Sequence, residues 1–470
     1  MRADRRRLLL AAALVAVAAI AARAPGEIGY PLWQDEVASA RIVSEPSLAD
    51  AVSRVADTES TPPAWYVAGW VLDRAGAPTE DVRWLSVLCG AAAAVLTLLF
   101  ARRFLGLPAA TLAGLVVALS WQLVERGHEL RAYSLYLLLA VAFALLLDDA
   151  ARRPGRGRLA GLAAVSALGL LTHYFFALAL AAGLVWLWTW PPARPARTRV
   201  TVALAVSVVP LLAWIPGFAE QVGNGRYNWV AGFDALKAAA LYSTFFWNAD
   251  ELYVEAQHVT IPALDAVGRV AILALVLAGA VRLWRIGFAA RLAALLATVP
   301  GALATILWVS GGSVFTTRNL ICAAPFAAIA LAALVEALPR PAALAAGAAA
   351  VALLGLGLVQ EWTLRPPPYD RFADELAAAG WSGSDPVYVL GGAHRLSYLG
   401  SSYALRSPIG WYLPGRPMLR LADAPTDCDR PVFVVDGAAR PVAVSRLDCG
   451  PGDEPSVRPG GYWFRAPAAG

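Results

Sequence analysis

Apolar runs alternate with short arginine-bearing gaps along most of the chain. The runs fall near 8–22, 84–101, 108–124, 132–147, 159–190, 200–218, 263–283, 289–309, 319–338 and 341–360. A helix needs roughly 20 apolar residues to cross a bilayer. The run 159–190 is long enough for two crossings and is interrupted by Thr172-His173-Tyr174, which predicts a turn there. The pattern predicts a helical membrane domain of about 11 spans. Two polar stretches interrupt it, 23–82 and 219–262. Within the first, 37–43 reads as helical. The aromatic stretch from Pro62-Pro63 through Trp65, Tyr66 and Trp70 predicts a helix lying at the membrane interface. Beyond residue 360, Arg365-Pro-Pro-Pro368 reads as a linker. A helical pattern at 369–379 and short apolar strands at 386–390, 431–435 and 461–465 then predict a small α/β domain. The expected fold class is therefore an all-α polytopic membrane protein with interfacial helices in a long first outer loop. A transmembrane domain over 1–360 is followed by an extracytoplasmic α/β domain over 361–470.

Composition agrees: 59% of residues are hydrophobic and 16% are charged, too apolar for a soluble protein. The basic residues punctuate the gaps and do not form one patch, which argues for topology and against nucleic acid. Arginine clusters occupy every second gap, at 2–7, 102–103, 152–158, 194–199, 282–291 and 340. Positive charge stays inside, so the expected protein is multi-pass in the cytoplasmic membrane, N-terminus cytoplasmic and C-terminus extracytoplasmic. The first run also has the form of a signal peptide, with Ala22-Arg23-Ala24 as a cleavage-like site, although Pro25 argues against cleavage. Cys89 and Cys322 lie in apolar runs as packed thiols. Cys428 and Cys449 are a disulfide candidate if the C-terminal domain faces an oxidising compartment.

Sorted by side, the polar chemistry gathers on the outer face. It comprises Asp35-Glu36, the dense turn Glu125-Arg126-Gly127-His128-Glu129-Leu130-Arg131, His173-Tyr174, Arg318, and the loop residues Asp250, Glu251, Glu255 and His258. No phosphate-binding loop or dinucleotide fingerprint is present, so a membrane-borne donor fits better than a soluble nucleotide. For Asp35-Glu36 two readings stand together: a helix N-cap, and a general base whose pKa is raised by partial removal from water. Arg131 and Arg318 read either as snorkelling anchors or as cations for a phosphate. His173 reads as a core histidine unless the turn beside it gives it a role. The loop acids read as solvated, with a metal site the lesser alternative, and no cofactor is required.

Several stretches together resemble the GT-C membrane glycosyltransferases. The group they resemble is that of protein O-mannosyltransferases and aminoarabinose transferases, including bacterial polyprenyl-phosphate-dependent mannosyltransferases. Trp33-Gln-Asp35-Glu36 resembles that group's first-loop acidic motif. Thr61-Pro62-Pro63-Ala-Trp-Tyr66 is similar to its His-Pro-Pro-aromatic stretch, with Thr in place of His. Arg83 to Gly90, His128-Glu129-Leu-Arg131-Ala-Tyr133-Ser, Thr172-His173-Tyr174 and Phe315 to Pro325 match in kind and order. The resemblance covers roughly 1–360. It implies inverting transfer of a sugar from a polyprenyl-phosphate donor to a hydroxyl acceptor outside the cytoplasmic membrane. By position, Asp35 is then the base and Glu36 supports it. Glu129, Arg131, Tyr133, His173, Tyr174 and Arg318 lie about the donor phosphate or sugar. The competing readings are a lipid-linked sugar flippase, whose charges belong near the bilayer midplane, and a polysaccharide polymerase or ligase, which takes a diphosphate-linked donor.

Overall fold

A computed structural model describes residues 2–224, 232–246, 262–312, 316–363, 369–381, 385, 387–390, 408–413, 420–422, 432–436, 443–447 and 461–465. The chain divides into two compact units, one of residues 1–28 and 46–364, the other of residues 29–45 and 365–470.

The apolar runs of the first unit fold as helices. α1 (Arg2–Gly29) opens the chain, and α2 (Gln34–Val43) belongs to the second unit. The first polar stretch then supplies α3 (Leu48–Thr58) and α4 (Ala64–Arg74), the latter where an interfacial helix is expected. Next come α5 (Arg83–Ala101), α6 (Leu107–Leu119), α7 (Trp121–Glu125), α8 (Tyr133–Arg152), α9 (Arg156–Thr172) and α10 (Phe176–Thr189). After these run α11 (Arg197–Val206), α12 (Val209–Leu212), α13 (Ile215–Gly223), α14 (Ala235–Phe246), α15 (Pro262–Ile286), α16 (Phe288–Val309), α17 (Ala324–Glu336) and α18 (Arg340–Thr363). Among the described residues, eight helices are long and apolar enough to cross a membrane, and α6 and α10 are shorter apolar helices. Two runs expected as single spans are divided. Proline in the first turn of α12 and of α13 splits 200–218 into three pieces. Ser120 leaves helical geometry at φ −58°, ψ 119° and separates α6 from α7.

The core is rich in alanine, with α5 packed on α6 and α8, and α17 on α6, α15 and α16. Small residues let helices approach closely where no hydrophobic force distinguishes helix from lipid. At one end of the bundle, Arg103 Nη1 donates to Asp148 at 2.5 Å and to Asp149 at 2.8 Å, tying α5 to the last turn of α8.

At the other end, the break at Ser120 is closed by a buried arginine from α1. Arg23 is fully buried and donates to the carbonyls of Ala19 (3.0 Å), Ala118 (2.9 Å), Leu123 (3.0 Å) and Val117 (3.4 Å). Carbonyls left unpaired at a helix end need such donors, most of all where water is excluded. The guanidinium passes directly over Gly127, where a Cβ would overlap both Arg23 Nε and the Leu123 carbonyl oxygen. Gly127→Ala is therefore expected to destabilise the protein by about 1–3 kcal/mol, read as a lower unfolding midpoint in detergent.

The second unit contains α2, α19 (Tyr369–Ala378), α20 (Pro408–Tyr412) and a five-stranded sheet. Its strands are β1 (Val387–Leu390), β2 (Arg420–Ala422), β3 (Val432–Asp436), β4 (Ala443–Leu447) and β5 (Gly461–Arg465), in the order β2-β5-β1-β3-β4. β1 pairs with β3 in parallel, and the other pairings are antiparallel. Three strands and α19 fall where the sequence placed them, whereas β2 and β4 were not expected. The segment 29–45 joins this unit through the Leu32 N–H, which donates to Tyr412 Oη at 2.7 Å, and through Arg41, which lies over the Trp411 ring at 5.7 Å. Cys428, Cys449 and the linker 365–368 lie outside the described residues.

Candidate functional site

The turn 126–132 between α7 and α8 carries the densest charge. Arg126 reaches Glu129 at 2.5 Å and Glu125 at 3.3 Å, so the acid of the Glu129-x-Arg131 motif is engaged by its own turn. Ser86 of α5 donates to the Arg131 carbonyl at 3.3 Å, fixing the backbone of the turn against α5. The side chain of Arg131 points to an acid that belongs to none of the motifs. Its Nη1 lies 2.8 Å from Glu59 Oε2, and the Glu59 side chain is fully buried. Glu59 stands just past the end of α3, two residues before Thr61-Pro62. The Thr61 and Tyr66 hydroxyls are 3.2 Å apart. Burial, foremost, and the negative Glu59 raise the pKa of Tyr66, while Arg131 opposes them.

His173 adopts extended geometry at the end of α9 (φ −155°, ψ 127°), the break expected from the sequence. Its ring stacks on Tyr136 with centroids 4.5 Å apart and lies 6.2 Å from Tyr133. Its Nδ1 accepts the Phe175 N–H at 3.3 Å. Burial above all, and then the positive charges of Arg131 and Arg318, push its pKa down to about 3. The turn bearing Arg318 is tied in from two sides. Gln122 Nε2 donates to Thr317 Oγ1 at 3.0 Å, and the Tyr136 hydroxyl donates to the Asn319 carbonyl at 3.2 Å. Arg131 and Tyr133, His173, and Arg318 are thus brought together from three segments far apart in sequence. Glu129 adjoins them through Arg126, which also lies over the Tyr133 ring at 5.9 Å. Buried Gln122 Oε1 and Thr316 Oγ1 lack a hydrogen-bond partner, as does Glu59 Oε1. Unpaired buried polar atoms are uncommon in native proteins and cluster where ligands or water bind.

Tyr174 has a different setting. Its hydroxyl donates to Gln221 Oε1 at 2.6 Å and accepts from Trp214 Nε1 at 2.8 Å. Gln221 Nε2 in turn donates to the Val55 and Thr61 carbonyls, each at 3.0 Å. Gln221 thereby ties α13 to α3 and to the Thr61 turn, and Tyr174 holds Gln221 in place. In the second unit, Asp35 and Glu36 are buried in the first turn of α2. Glu36 Oε2 accepts the Trp33 N–H at 3.3 Å, so the capping role expected for the pair is taken by Glu36. The loop acids Asp250, Glu251 and Glu255, together with His258 and Phe315, lie outside the described residues. A cavity of about 390 Å³ is lined by Arg152, Trp190 and Phe288 at the far end of α8, and none of the site candidates lines it.

His128, in the turn, is also held neutral. Its pKa is driven well below the usual value of 6.5, by burial first and then by Arg83, Arg23 and Arg126. Both histidines are uncharged in the folded chain, whereas the unfolded chain takes up their protons below pH 6.5. Stability is therefore full above that pH and falls as pH drops, by up to about 1.4 kcal/mol per pH unit for each group. The unfolding midpoint is expected to fall between pH 6.5 and 5, less steeply in His173→Phe.

Residues 60–217 match the family of dolichyl-phosphate-mannose-protein mannosyltransferases. Among solved structures, the apo form of ArnT from Cupriavidus metallidurans aligns with TM-score 0.56 at 13% identity, over 92% of this chain and 93% of that one. The same protein bound to undecaprenyl phosphate aligns with TM-score 0.54 at 13% identity, over 98% of both chains. The apo oligosaccharyltransferase of Archaeoglobus fulgidus aligns with TM-score 0.52 at 13% identity, over 78% of this chain and 58% of that one. None of the curated proteins matches. The resemblance read from the motifs is borne out: the chain has the polytopic fold of the GT-C glycosyltransferases.

Proposed function

We propose that this chain is an inverting glycosyltransferase. In this reading it moves a mannose-like hexose or a pentose from a polyprenyl-phosphate donor to a hydroxyl on the outer face of the cytoplasmic membrane. The acceptor is a cell-envelope glycan, a glycolipid or a protein. The observation that carries the reading is the convergence of Arg131 and Arg318 on neutral His173 at one end of the bundle. The fold shared with a protein solved with undecaprenyl phosphate supports it.

The chemistry asks for such an arrangement. The acceptor oxygen attacks the anomeric carbon from the face opposite the phosphate. A new carbon–oxygen bond forms, the anomeric carbon–oxygen bond to phosphate breaks, and polyprenyl phosphate leaves with the electron pair. The leaving group gains charge as the bond breaks, so preformed cations there stabilise the transition state more than the ground state. The acceptor proton passes to Asp35, with Glu36 supporting the turn that presents it. His173, being neutral, adds no charge and is suited to hydrogen bonding and to packing beside the sugar.

The test is a membrane assay with a panel of radiolabelled polyprenyl-phosphate sugars, followed by identification of what becomes labelled. A labelled acceptor from one donor of the panel is expected. Label that stays on the lipid with every donor would overturn the reading.

A further inference from the structure

The acid at 59 has no evident structural reason to be an acid. The Glu59 side chain is fully buried at the end of α3, where its N–H closes on the Val55 carbonyl at 3.0 Å. One carboxylate oxygen meets Arg131 at 2.8 Å, the Tyr66 hydroxyl also hydrogen-bonds to the carboxylate, and Oε1 has no partner. Burying a half-satisfied ion pair is a poor way to stabilise a protein, since well-packed apolar residues commonly do as well. A buried carboxylate that persists on these terms points to a task for the charge it meets.

We propose that Glu59 is a positioning residue that fixes the Arg131 guanidinium for the phosphate of the lipid-linked donor, an inference that rests on the reading of Arg131 given above. Arg131 lies on an irregular turn, so no helix geometry restrains its side chain. Its planar fork recognises phosphate only in a defined orientation, and an arginine ordered at folding loses little further freedom when the ligand arrives. Seated at the junction of α3 and the Thr61-Pro62-Pro63 turn, Glu59 supplies that order. The Tyr66 hydroxyl, coupled to both charges and 3.2 Å from the Thr61 hydroxyl, completes the buried group.

The full chain in lipid nanodiscs tests this with two readouts, the donor KM against kcat and the Kd for polyprenyl phosphate. Glu59→Gln is expected to raise both KM and Kd about tenfold or more with a smaller change in kcat. Glu59→Asp, which keeps the charge, should recover part of the loss. Adding Glu59→Gln to Arg131→Ala should cost nothing further if Glu59 acts through Arg131. Thermal unfolding is followed in parallel. Unchanged KM and Kd in the folded Glu59→Gln protein would overturn the proposal, as would losses that multiply fully in the double variant. If wild type transfers sugar from no lipid phosphate, the proposed reaction fails. The Kd comparison then still decides the role of Glu59: equal Kd values for wild type and Glu59→Gln reject it, and weaker binding by the variant supports it.

Discussion

Replacing Asp35 by Asn is expected to lower sugar transfer by about 10³-fold while leaving membrane insertion and folding intact. A general base contributes roughly 10² to 10⁴ in rate, and the amide preserves shape while removing proton affinity. The first turn of α2 makes the comparison sharp, because the contact with the Trp33 N–H is made by Glu36. Glu36 reaches back to the Trp33 N–H, so its loss weakens the start of a helix, an effect of about 1 kcal/mol. Glu36→Gln, which can still accept that hydrogen bond, is expected to retain activity within about tenfold, the scale of one such increment. Steady-state transfer by the two variants, each with its unfolding midpoint, separates base from cap. Equal losses in both, or wild-type transfer by Asp35→Asn, would remove Asp35 from the mechanism.

Arg131→Ala is expected to act through two routes at once. Loss of one preformed group that stabilises developing charge lowers turnover by about 10²- to 10³-fold. The substitution also strands Glu59, fully buried, without its cation, and breaking a buried pair costs about 3–5 kcal/mol. A lower melting temperature should therefore accompany the kinetic defect. Arg131→Lys separates the routes. It keeps a positive charge near Glu59 but lacks the planar fork, so stability should be largely restored while donor binding stays weak. Full recovery of donor KM by lysine would show that charge alone suffices at this position.

Much of this arrangement is legible in the chain. The apolar runs mark the helices because burial in lipid demands continuous apolar surface. The interruption at Thr172-His173-Tyr174 marks the end of α9 because a polar pair cannot sit within a lipid-facing span. The Arg131 and Arg318 candidates stand out because arginine at span ends that the charge pattern predicts to face outward runs against the usual bias. What escapes the sequence is pairing over distance. Glu59 is one acid among several in a polar stretch, and only Arg131, 72 positions away, gives it meaning. The association of 29–45 with the C-terminal unit rests on contacts such as Leu32 with Tyr412, 380 positions apart, which no local periodicity encodes. Arg23 has the appearance of part of a cleavage site because its acceptors are carbonyls, which carry no side-chain signal. Tyr174 matches its motif by type, yet its hydroxyl is engaged by Gln221 and Trp214, neither of which the motif includes.

The central claim is that a carbon–oxygen bond to a lipid monophosphate is exchanged for one to an acceptor hydroxyl. It is tested most directly by reconstituting the full chain in liposomes with a polyprenyl-phosphate sugar and acceptor, then counting polyprenyl phosphate released per sugar transferred. The expected result is one lipid phosphate per sugar, with inverted anomeric configuration and both products formed about 10³-fold more slowly by Asp35→Asn. Labelled lipid that crosses the bilayer with its sugar bond intact, or turnover only with a diphosphate-linked donor, would contradict it.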